Sequence, residues 1–116
     1  TSVLLFDRRG GGGNNIGPAT FDDEATTAIG AGSAPFLGAF RPEGSLSAYD
    51  GQSLNGTWRL SVSDVAWLDT GYLQAWGIRG DASVPGNNNT TVPDGGLTVF
   101  MLGTALGGLA LLRKKL

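Results

Sequence analysis

Three consecutive carboxylates, Asp22-Asp23-Glu24, with Asp50 further along, are the residues whose type and spacing best suit ligand chemistry. Asp and Glu in irregular loops supply the oxygen ligands that Ca2+ prefers. Their spacing lacks the alternating pattern and closing Glu of a helix-loop-helix calcium loop. A solvated acidic turn is therefore the expectation, and no cofactor, Ca2+ included, is expected to bind. Catalytic chemistry has little to draw on. The 116 residues contain no Cys and no His, which excludes disulfides, thiolate zinc sites, Cys nucleophiles, His general bases and His-containing triads within them. Four glycines, Gly10 to Gly13, follow Arg8-Arg9, but neither a helix nor Lys-Ser/Thr comes next, so they do not read as a phosphate cradle. Trp67, in the link from Asp64 to Gly71, has carboxylates nearby and could contact carbohydrate or protein. The competing reading folds it back over the end of the domain.

The elements that would position these residues differ sharply between the two ends of the chain. Val92-Pro93-Asp94-Gly95-Gly96 is followed by an uncharged apolar run, Leu97 to Leu112, and then by Arg113-Lys114-Lys115-Leu116. As a helix, a run of this length would measure roughly 24 Å, short of the roughly 30 Å hydrocarbon core of a bilayer. A transmembrane helix over 97–112 is expected, and a buried core helix is the competing reading. Cations at its C-terminal end belong on the cytoplasmic side, which leaves everything before Val92 outside the cytoplasm. All ten acidic residues precede Gly95, so the exported part is acidic and the tail basic. Nucleic acid is excluded as a partner for such an ectodomain.

Before Leu97 the pattern is one of strands and turns. Thr57-Trp58-Arg59-Leu60-Ser61-Val62-Ser63-Asp64 alternates strictly, placing Trp58, Leu60 and Val62 on one face. Tyr72, Trp76 and Ile78 repeat that period two, and Ser2 to Phe6 is a short apolar, β-branched run. Antiparallel strands are expected near Ser2–Phe6, Thr57–Asp64 and Gly71–Arg79, with Trp58, Leu60, Val62, Trp76 and Ile78 as a buried core. Gly56 fits a tight turn before its strand. This organisation divides into a β domain at 1–80, a flexible linker at 81–91 and a terminal segment at 92–116. About 80 residues make a marginal core. The chain begins with Thr and carries no signal peptide, so a longer protein with further sequence before Thr1 is expected.

Two resemblances cover these segments. Val92 to Leu116 resembles the PEP-CTERM class of bacterial sorting signals, in which a Val-Pro-Glu-Pro-like motif precedes a membrane stretch and a basic tail. With Asp94 for Glu and Gly95 for the second Pro, it is more similar to the Val-Pro-Asp-Ser-Gly variant. The resemblance implies an exosortase-type processing enzyme as partner, transient insertion in the inner membrane, cleavage near the motif and transfer to the cell surface or an extracellular matrix. An ordinary membrane anchor is the plainer alternative.

The second resemblance rests on Thr20-Phe21-Asp22-Asp23-Glu24-Ala25, Gly38-Ala39-Phe40-Arg41-Pro42 with Leu46, Gly56-Thr57-Trp58-Arg59-Leu60-Ser61-Val62-Ser63-Asp64, and Asp69-Thr70-Gly71-Tyr72-Leu73 with Trp76 and Ile78. In order and spacing these look like the C-terminal part of a P/Homo B domain, the proprotein convertase P-domain. It implies a jelly-roll-like antiparallel β-sandwich, incomplete at its N-terminus, of the kind found beside subtilisin-like serine proteases, beside metalloproteases and on bacterial surface proteins. Two functions follow as expectations. One is a noncatalytic domain accompanying a secreted serine-type endopeptidase in the same protein; the other is a structural or adhesive module with no protease.

Overall fold

The computed structural model describes residues 1–65, 67, 70–80, 97–103 and 109–115. Among the described residues seven strands run in chain order: β1 Ser2–Asp7, β2 Ile16–Phe21, β3 Gly38–Phe40, β4 Thr57–Ser63, β5 Leu73–Gly80, β6 Leu97–Gly103 and β7 Leu109–Lys115, with 3-10 turns at Ile29–Ala31 and Leu46–Tyr49. The chain is all-β. The strands form two sheets, β1-β7-β4 and β3-β2-β6-β5.

Local sequence explains the first strands. Val3, Leu5 and Phe6 of β1 are all buried, although alternation would send Leu5 and Phe6 to opposite faces. The register against β7 shifts between Leu4 and Phe6, the kind of bulge that re-aims a side chain. Gly56 has φ +123°, a backbone position open to glycine and strained for other residues, and the next residue starts β4. β2 and β3 pair in parallel, Ala19 with Gly38 and Phe21 with Phe40, so the expected all-antiparallel order fails at this edge. Asp22 to Leu37 supplies the crossover that parallel strands require.

One cluster fills the space between the sheets. It joins Val3, Leu5 and Phe6 of β1 and Leu112 of β7 to Ile16, Ala19 and Phe21 of β2, Phe40 of β3 and Val99 of β6, and the intervening loops add Ile29, Phe36, Leu46 and Tyr49. Phe36 stands edge-on to both Phe6 and Phe40, with ring centroids 5.4 and 5.9 Å apart.

Two further expectations need correction. The apolar run expected as one helix over 97–112 instead contributes strands at Leu97–Gly103 and Leu109–Lys115, and no helix among the described residues is long and apolar enough to cross a membrane. Gly103, Gly107 and Gly108 lie in this run, and each costs a helix about 1 kcal/mol relative to Ala. Thr98, Val99 and Phe100, by contrast, favour strands. β1, β4, β2 and β5 also offer backbone N–H and C=O groups that β6 and β7 pair on both sides.

The second correction concerns the core. Trp58, Leu60 and Ile78 pack half-buried against the cluster, but Val62 and Trp76 are 41% and 37% exposed. β4 and β5 are edge strands, and each has a neighbour on one side only to help cover its apolar face.

Candidate functional site

The acidic segment begins where β2 ends. Asp22 continues the β2–β3 contact, donating its N–H to the Phe40 carbonyl at 3.0 Å, and its Oδ1 accepts from the Glu24 N–H at 3.0 Å. That second bond closes an Asx turn. Hydrogen bonding from Glu24, side chain and then backbone, holds the Asp22 carboxyl below its ordinary range, while the bond to Asp22 pushes Glu24 up.

Asp23 has a different task. Its Oδ1 accepts the Leu46 N–H at 2.9 Å, and its Oδ2 accepts the Ser47 N–H at 2.8 Å and the Ser45 hydroxyl at 2.9 Å. A carboxylate from the end of β2 thus caps the 3-10 turn that delivers Leu46 and Tyr49 to the core. Asp50 lies exposed at the C-cap of the same turn. Among the described residues no three acidic groups converge as metal ligands would. Asp23→Ala is expected to cost about 2 kcal/mol, because three bonds to one charged acceptor are lost. Thermal melts with millimolar Ca2+ and with chelator should coincide for the natural chain. A Ca2+-dependent rise in Tm that disappears in an Asp22→Asn, Asp23→Asn double variant would restore the metal reading.

Two arginines tie the irregular segments on either side of β3. Arg9, just after β1, places its guanidinium against Glu43, Nη2 to Oε2 at 3.0 Å and Nε to Oε1. This fork holds the Glu43 carboxyl below its usual range and fastens the start of the glycine loop to the chain beyond β3. Arg41 Nη1 donates to the carbonyls of Ala25 and Thr26, at 2.7 and 2.8 Å. The glycine loop itself closes a turn, Gly13 N–H to Gly10 C=O at 2.9 Å, and leads into β2 with no helix for a phosphate to cap.

In the link between β4 and β5 Trp67 is 90% exposed, so it does not fold back over the domain. Val65, Tyr72 and Leu73, near it in sequence, are exposed as well. Trp58, half-buried, donates its indole N–H to the Leu54 carbonyl at 3.0 Å, and its ring lies 5.0 Å from that of Tyr49. Val92, Pro93, Asp94, Gly95 and Gly96 lie outside the described residues. Arg113, Lys114 and Lys115 end β7, with backbone positions opposite Arg59, Trp58 and Thr57 of β4.

Sequence reasoning missed Asp23 as an anchor. Its only sequence trace is the Ser45-Leu46-Ser47 group it caps, far along the chain. Tyr49 and Phe36, both in irregular segments, were missed for the same reason.

Two comparisons match this chain. The proprotein convertase P-domain family matches residues 2–80, and the VPDSG-CTERM motif matches residues 91–116. No curated protein and no solved structure matches.

Proposed function

We propose, because the chain belongs to the proprotein convertase P-domain family and ends in a VPDSG-CTERM motif, that it is the noncatalytic C-terminal module of an exported bacterial protein whose upstream part is a secreted serine-type endopeptidase. The carrying observation is the order of the two matches: a noncatalytic domain family and then a sorting motif, which fit an exported, surface-sorted protein. The lack of Cys and His agrees with a module that does no chemistry of its own. The domain is taken as a jelly-roll-like sandwich that stabilises its neighbour, with Asp23 and the Arg9–Glu43 pair holding its loops. An exosortase-type enzyme would meet the motif at the inner membrane, cleave there and pass the ectodomain to the surface.

A second reading is a structural or adhesive module with no protease, favoured by the exposed Trp67 and Tyr72, since aromatic side chains are enriched at binding surfaces. Sequence of the gene upstream of Thr1 separates the two, by the presence or absence of a subtilisin-like Asp, His and Ser set.

Processing is testable directly. Mass spectrometry of the surface protein from its native cell should recover peptides ending before or within Val92–Gly96 and none containing Phe100 or Met101. Pro93→Ala with Asp94→Ala should leave the uncleaved form in the inner membrane. Recovery of the intact 97–116 segment from the surface form would sink the exosortase reading.

A further inference from the structure

The apolar run of the sorting tail is also the middle of both sheets. β7 is what joins β1 to β4, and β6 is what joins β2 to β5. Of the five strand pairings among the described residues, β6 or β7 takes part in four, and β2–β3 is the fifth. Val99 and Leu112, one from each strand, are fully buried in the core. The buried Tyr49 hydroxyl donates to the Leu112 carbonyl at 2.6 Å, a hold on the tail backbone from a loop that Asp23 itself anchors.

We propose that the closed domain stores its own sorting tail, so that the tail in the sheets and the tail in the membrane are mutually exclusive states. This rests on the sorting reading above. A bilayer accepts helices and closed barrels, because backbone groups unpaired in lipid are too costly. The strands Leu97–Gly103 and Leu109–Lys115 satisfy their backbones against β1, β4, β2 and β5, and must give up those partners to enter lipid. Extraction therefore parts β1 from β4 and β2 from β5. A chain that meets the membrane with its sheets open is sorted, and a chain that closes first hides the run.

The register supplies a bias toward release. Arg113 lies directly across from Arg59, and like charges at opposed positions disfavour pairing.

A lock tests this, since the chain has no cysteine of its own. Ser61 of β4 is the register partner of Leu111, and Thr20 of β2 that of Phe100. Opposed residues of an antiparallel pair have Cα atoms about 4.5–5.5 Å apart, within disulfide reach. Ser61→Cys/Leu111→Cys and Thr20→Cys/Phe100→Cys variants of the 1–116 chain should form the bond under mild oxidation. Each would then be mixed with phosphatidylethanolamine–phosphatidylglycerol vesicles and separated by flotation. The expected result is vesicle binding at background level in the oxidised forms, restored to the level of the natural chain by reductant. Oxidised chains that float as well as reduced ones would overturn the exchange alone, and so would failure of both pairs to oxidise. If the natural chain itself does not float, the membrane reading fails, and the exchange falls with it for that separate reason.

Discussion

A chain ending at Gly80 should show no cooperative thermal transition, although residues 2–80 span the whole match to the P-domain family. Without β6 and β7 the sheets β1-β7-β4 and β3-β2-β6-β5 fall to isolated strands and the single β2–β3 pair, which is only three residues long on β3. A lone strand pair is marginal in water at best. Loss of Val99 and Leu112 from the core removes roughly 1.5–3 kcal/mol of burial each. Against a total stability of about 5–15 kcal/mol, those losses and the missing ladders together exceed what the remaining contacts can offset. Circular dichroism melts of the 1–80 and 1–116 chains, with tryptophan emission as a second probe, check this. A sigmoidal transition with native strand signal in the shorter chain would show that the tail strands are dispensable. The consequence reaches the processed protein. A surface form that has lost its tail and is still folded must hold two other strands in the positions that β6 and β7 occupy.

Strands whose apolar residues alternate were legible in the sequence. Thr57–Ser63 and Leu73–Gly80 lie within a residue or two of their expected bounds, because period two with aromatic and β-branched residues on one face has few other structural readings. β2 was not legible: Ile16-Gly17-Pro18-Ala19 carries two strand breakers and is held by its neighbours β3 and β6 rather than by its own propensity. The tail was misread for a related reason. A uniformly apolar run has no period, so its length argued for a helix, and the partners that make it two strands lie 17 to 111 residues away. Burial on β4 and β5 depended on sheet order, which no local pattern records, and so Val62 and Trp76 fell on the exposed side of the expectation while Trp58, Leu60 and Ile78 did not. The acidic triplet shows the same limit at a candidate site. Its composition is compatible with a metal, whereas the geometry gives Asp23 three protein donors.

Phe36→Ala should cost about 3–5 kcal/mol, the largest effect of any single substitution considered for this domain. The side chain is fully buried, and its ring meets Phe6 at 87° and Phe40 at 75°, edge-to-face geometries that add to simple burial. Gly32 shows how little slack surrounds it: a Cβ there would lie 2.8 Å from Phe40 Cε1 and 3.0 Å from Phe36 Cδ1. Collapse into the vacated space is correspondingly limited, which places the cost toward the upper part of the range. The backbone adds a sign that separates two variants. Phe36 has φ +50°, a left-handed conformation that costs a residue with a Cβ roughly 1 kcal/mol and glycine almost nothing. Phe36→Gly should therefore be no worse than Phe36→Ala despite removing one more carbon. Urea unfolding of the full chain would measure both, with a lower midpoint at unchanged slope as the expected form. Trp67→Ala is the control, a larger aromatic left 90% exposed, whose loss should stay within about 0.5 kcal/mol. A Phe36→Ala change as small as that of Trp67 would mean that the three-ring cluster does not hold β1 to the β3 edge, and the core would have to be redrawn around β6 and β7.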